Sequence, residues 1–106
     1  MSRFLVTYHG GSPPADPTQA EQIRTAFGAW VAGTGTALAD PGAPLRPGTR
    51  VSNGSPAPQV PIGGYSVIEA AGIEEAVKIL RSHPFVARGG TLQVDEAISV
   101  DEAISE

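Results

Sequence analysis

The sequence predicts an α+β domain in which a four-stranded antiparallel sheet carries two helices on one of its faces. Three observations predict it. Phe4-Leu5-Val6-Thr7-Tyr8 alternates with a period of two, and Ala20 to Val31 repeats at three- and four-residue steps. Pro61 to Val94 then changes period twice, reading as a strand over Gly64 to Ala70, a helix over Ile73 to Leu80 and a strand around Leu92 and Val94.

In the first strand Phe4, Val6 and Tyr8 share one face and Leu5, Thr7 and His9 the other, so both faces carry apolar surface. Gly10-Gly11-Ser12-Pro13-Pro14 ends it. Asp16-Pro17 then supplies a capping side chain followed by a residue suited to the first helical position, with Thr18 and Glu21 as an alternative capping box. Ala20, Ile23, Phe27, Trp30 and Val31 form the apolar stripe of this helix, which is expected to end near Gly33 or Gly35.

Most of the prolines fall between residues 40 and 61, and the only strand expected there is Leu45 to Ser52. Proline cannot donate to a ladder, so that strand reads as an edge, left by a turn at Asn53-Gly54 and followed by an exposed loop over Ser55 to Val60. Glu74 and Glu75 suit the positive end of the second helix and Lys78 and Arg81 its negative end, while Ile73, Ala76, Val77 and Leu80 are its expected buried stripe. His83-Pro84 stops it, and Gly89-Gly90 turns the chain into the last strand.

The order is therefore βαββαβ, the ferredoxin-like arrangement, with both helices on one face of the sheet. The other face is left bare. Leu5, with Ser66, Ile68 and Ala70 or their alternates on the third strand, makes it apolar enough that a symmetric homodimer joined face to face, an α+β barrel, is the expected remedy.

The 106 residues are enough for a single domain, spanning 1-106, that hides roughly 60 to 70% of the surface of its unfolded chain. Seven Lys plus Arg against 11 Asp plus Glu leave a net charge of -4 and no basic stripe to release counterions, which argues against nucleic acid as a partner. With no cysteine, disulfides, thiolate ligands and cysteine nucleophiles are excluded. No run reaches the length of a membrane span, and the first strand is too short for a signal-peptide core, so no membrane partner and a cytoplasmic location are expected. Val94-Asp95-Glu96-Ala97-Ile98-Ser99 repeats at once as residues 100 to 105, too short and too few for a solenoid and read as a local duplication.

The order of motifs resembles the YCII-related (YciI-like) family, in particular its branch named after an Asp-Gly-Pro-Phe signature. Its carriers are Phe4 to Tyr8, Trp30, Ala39-Asp40-Pro41-Gly42-Ala43-Pro44-Leu45, Gly63 to Ala70, Glu75-Ala76, His83-Pro84 and Gly89 to Val94. The resemblance implies a ferredoxin-like fold, usually dimeric, with a pocket between the sheet and nearby loops. In one branch it implies a lactone dehalogenase whose proposed site pairs a helix histidine with an aspartate. By register from Gly35 that histidine falls near Arg24 here, the aspartate preceding proline is His83, and Asn53-Gly54-Ser55-Pro56 stands near where the signature is expected, so the dyad does not carry over.

Two readings of each candidate stand side by side. His83 titrates near neutrality and suits proton transfer, yet a histidine in the last turn of a helix also satisfies the dipole and free carbonyls. His9 either lines a cleft beside Gly10-Gly11 or closes a strand. Asp40 either accepts backbone N–H groups in a turn or, near a histidine, orients a base. These three are the candidate catalytic residues, and Arg24, Trp30 and Tyr65 the candidate ligand-binding ones, although a tryptophan in such a stripe also reads as core. No metal spacing, phosphate loop or nucleophile elbow is present, so neither metal nor cofactor is expected. The expected function is binding of a small organic molecule near a dimer seam. It comes either with proton-transfer chemistry on a lactone-like or carbonyl compound, or without catalysis, in a ligand sensor or protein-interaction module linked to transcription regulation.

Overall fold

The computed structural model describes residues 1 to 105 and contains the expected sheet. Its strands β1 (Ser2–His9), β2 (Leu38–Pro44), β3 (Gly64–Ala70) and β4 (Thr91–Ala97) lie in the order β2-β3-β1-β4, all neighbours antiparallel. Helix α1 (Pro17–Thr34) joins β1 to β2 through one 3-10 turn (Gly35–Ala37). Helix α2 (Ile73–Leu80) and the short α3 (Pro84–Ala87) join β3 to β4, and α4 (Val100–Ser105) follows the last strand. No helix among the described residues is long and apolar enough to cross a membrane.

Local chemistry explains the boundaries. The Asp16 carboxylate accepts a hydrogen bond from Gln19 N at 2.8 Å and Pro17 opens α1, while Gly35, at φ +61°, closes it. Registers Phe4↔Ile68, Val6↔Ser66 and Val6↔Val94 put Phe4, Val6, Ser66, Ile68 and Ala70 on the helix-bearing face, where Trp30, Ala76 and Leu80 complete the core. The bare face is formed by Leu5, Thr7, Tyr65 and Val67, the alternates of the third-strand residues named first for it.

Two expectations are corrected. Strand β2 is Leu38–Pro44, while residues 45 to 52 belong to an exposed connection without regular structure. Two prolines are tolerated in β2 because it is an edge, with register shifts on both sides of Asp40 that leave Pro41 and Gly42 outside the ladder. In α2 the buried stripe runs through Ala76, Ile79 and Leu80, and Ile73 is exposed, since the helix begins beyond the end of the sheet and only its later turns lie over the core.

The radius of gyration, 15.6 Å, exceeds the roughly 13 Å of a compact chain of this length. The connection over residues 45 to 62 and the α4 tail, exposed along nearly their whole length, account for the excess.

Candidate ligand-binding site

A cavity of about 260 Å³ opens between α1 and the corner where β2 and β3 leave the sheet, lined by Tyr8, Ile23, Arg24, Phe27, Tyr65 and the Pro41–Pro44 turn. Larger hollows, among them one of about 950 Å³ between α1 and α2, are open surface grooves. The cavity rests on a line of buried polar groups. Phe85 N–H donates to His83 Nδ1 at 3.0 Å, and His83 Nε2 lies 2.8 Å from the Tyr8 hydroxyl. That hydroxyl is 2.8 Å from Ser66 Oγ, which in turn lies 2.8 Å from the Pro41 carbonyl oxygen.

The network fixes the direction of every proton. Because Nδ1 accepts from an amide, the neutral imidazole carries its hydrogen on Nε2 and donates to Tyr8. Ser66 donates to a carbonyl, so its oxygen accepts from Tyr8. Each group has a partner, as a buried polar chain requires.

His83 is only 2% exposed and is boxed by three rings, with centroid distances of 4.3 Å to Trp30, 5.1 Å to Tyr8 and 5.7 Å to Phe27. Burial, with the positive charge of Arg88 adding to it, holds its pKa down at about 4 against an ordinary 6.5. Burial raises the Tyr8 pKa, partly offset by the hydrogen bond with Ser66. Near neutral pH both groups are uncharged.

A pH dependence of folding follows. Between pH 6.5 and about 4 the unfolded chain takes up a proton that the folded His83 refuses, so stability rises with pH across that interval. The contribution is complete above pH 6.5, is lost as pH falls toward 4, and amounts to at most about 3 kcal/mol. Urea unfolding at pH 7, 5.5 and 4, beside the His83→Gln chain, checks it: the wild type is expected to lose this increment and the variant to lack it. Parallel curves would contradict the assignment.

The candidate residues fall in separate places. Arg24 and Tyr65 line the cavity, with Arg24 Nε and Nη2 donating to Glu21 at 3.2 and 2.9 Å. Trp30 lies in the core, stacked on Phe27 and tilted against His83, and lines the α1–α2 groove instead. His9 donates from Nδ1 to the Pro61 carbonyl at 2.9 Å and accepts on Nε2 from the Thr7 hydroxyl at 2.8 Å, tethering the end of the exposed connection. The Asp40 carboxylate accepts from Gly42 N at 2.8 Å and so shapes the turn that presents the Pro41 carbonyl to Ser66. No hydrogen bond or ion pair among the described residues joins Asp40 to either histidine. No cluster of three or more His, Asp or Glu there is placed to hold a metal ion.

His83 lies beyond α2, which ends at Leu80 with Arg81 as its C-cap, and not in its last turn as expected. It does not serve the negative end of that helix. With φ -65° and ψ 131° it is the N-cap of α3, and Pro84 is the first residue of a new helix as well as the stop of the old one. Tyr8 and Ser66, absent from the candidate list, carried a signal in the sequence. Each places a hydroxyl at an alternating position whose neighbours, Val6 and Ile68, are core, and a hydroxyl there demands a partner. No protein-family model matches the chain, and no curated protein matches it either.

Proposed function

We propose that the protein binds a small, mostly apolar organic acid in the cavity beside Tyr8 and releases it unchanged. The lining carries the reading: Ile23, Phe27 and the Pro41–Pro44 turn supply apolar walls and Arg24 a cation, the combination of greasy surface and few oriented polar groups that ligand sites use. Arg24 reaches Glu21 through Nε and Nη2, which leaves Nη1 for a carboxylate oxygen. At about 260 Å³ the cavity lies below the roughly 300 Å³ where drug-sized sites begin, which favours a ligand of about one ring.

Binding is preferred over proton transfer to a lactone-like compound because a general base works best with a pKa near the operating pH. His83 is far from that, and both of its ring nitrogens are engaged. This supports the sensor over the enzyme. A YCII-related origin, with its pocket between sheet and loops, fits the same cavity. Pairing of two copies through the bare face, around exposed Leu5 and half-buried Tyr65 and Val67, belongs to the same proposal, since no helix covers that side of the sheet.

Benzoate and benzamide test the cation's part. At tenfold excess over its Kd a ligand adds about 1.4 kcal/mol, worth roughly 6 to 10 °C in the melting temperature of a domain this size. Benzoate is expected to give that shift, benzamide a smaller one, and Arg24→Ala to erase the difference. Equal shifts for the two probes, no shift, or a difference that survives Arg24→Ala would sink the proposal.

A further inference from the structure

At the β4 edge of the sheet, away from the cavity, lies a second apolar groove, of about 270 Å³, between α2, α3 and β4. Val77, Leu80, Val86, Leu92 and Val94 line it, and Arg81 stands on its rim. A neighbouring hollow shares Val77 and Arg81 and adds Ile73, Lys78 and Glu74, so two cations against one carboxylate leave this side of the groove net basic. The tail has the opposite character. In α4, Val100, Ala103 and Ile104 recur at the spacing of one helical face, and Asp101 and Glu102 occupy the other. Val100 is 73% and Ile104 76% exposed.

A helix of six residues is too short to persist on its own. Its start is nevertheless built, with Glu102 N donating to Ser99 Oγ at 3.1 Å, so what is missing is cover for its apolar face. The same chain's α4 reaches only the near end of this groove. Only Ile98 and Ser99 separate α4 from the end of β4. Leu92 lies about 17 Å back along the strand from Ala97, whereas α4 is about 9 Å long. Folded back, it would lie against Glu96 and Ala97, bringing Asp101 and Glu102 toward a like charge.

We propose that this groove receives α4 of a second copy of the chain, the exchange being reciprocal about a two-fold axis. Val100, Ala103 and Ile104 enter between α2 and β4, and Asp101 and Glu102 face Arg81 and Lys78. The match of apolar stripe to apolar groove, with acidic flank to basic rim, selects this partner. It concerns a surface apart from the bare sheet face and stands whether or not that face also pairs.

The chain has no cysteine, so introduced thiols report the seat without background. Both Ile104 and Val86 are exposed, and their replacement leaves the core intact. A mixture of Ile104→Cys chains and Val86→Cys chains under mild oxidation is expected to give a disulfide-linked pair joining position 104 of one copy to position 86 of the other. Adding Arg81→Glu to the Val86→Cys chain is expected to slow the linkage, and Asp101→Lys with Glu102→Lys on the partner to restore it. Ile104→Glu in the otherwise native chain is expected to weaken any association through α4 by at least about tenfold.

An intrachain bond in a chain carrying both cysteines would show that α4 covers its own groove and overturn the exchange. Absence of any 104–86 linkage would overturn it equally. Dimers that persist by light scattering without that linkage, and that Leu5→Glu dissolves, would assign self-association to the bare sheet face instead.

Discussion

Gly42→Ala is expected to detach β2 from the sheet and to destabilise the protein by roughly 3 kcal/mol or more. Two effects add. Gly42 has φ +74°, where a side chain is strained, and a Cβ built on it collides with the Tyr65 carbonyl oxygen, a backbone atom that cannot swing aside. Relieving the collision moves the turn, and with it the Pro41 carbonyl that accepts from the fully buried Ser66. A buried hydroxyl left unpaired costs about 1 to 3 kcal/mol. Gly48→Ala is the control, because nothing lies within 4 Å of a Cβ there. Urea unfolding of the two variants is expected to separate them clearly, and the benzoate shift of Gly42→Ala to vanish even where the chain is still folded. Similar midpoints for the two would show that β2 is not held by this close approach.

His83→Ala is expected to be comparably severe, at roughly 3 to 5 kcal/mol, a large part of the stability of a domain this small. The substitution empties the box formed by Tyr8, Phe27 and Trp30, removes the N-cap of α3 and deprives the Tyr8 hydroxyl of its donor. His83→Asn separates these contributions. Asparagine caps a helix well, so about 1 kcal/mol is expected to return through Phe85 N–H, while the lost ring contacts do not. Were His83 a catalytic base on a tolerant surface, both variants would unfold like the wild type. That outcome, measured by urea titration, would return the residue to the catalytic candidates.

Periodicity and end signals sufficed for the elements that obey local rules. The strand Gly64–Ala70 and the helix Ile73–Leu80 lie where alternation and helical spacing put them, and Asp16-Pro17 and Gly35 bound α1. The second strand was illegible because Asp40-Pro41-Gly42 is turn chemistry that here forms an irregularity inside an edge strand, a use that depends on β3 lying alongside. His83-Pro84 announces an end and a beginning in the same two residues, and only the second explains the imidazole. The polar support was hidden for another reason: Tyr8 meets Ser66 across 58 positions and His83 across 75, distances at which no local pattern informs. That Arg24 and Tyr65 line one hollow while Trp30 lines another is a property of the packed layers, which no local pattern shows.

The doubled hexapeptide has a consequence for how β4 is maintained. Its first copy supplies extended chain over Val94–Ala97 and its second the helical turn Val100–Ser105, so the same letters take either form according to what lies beside them. Six is an even number. Sliding the terminal segment by one unit would set Val100 opposite Val6 and Ile98 opposite Tyr8 without turning any side chain to the wrong face. What opposes such slippage is the start of the strand, where Gly90 N donates to Phe85 O at 2.9 Å beneath a ring that leaves no room for a Cβ. Excision of either unit yields an identical polypeptide, one that loses the α4 segment and keeps every residue type of β4 in place.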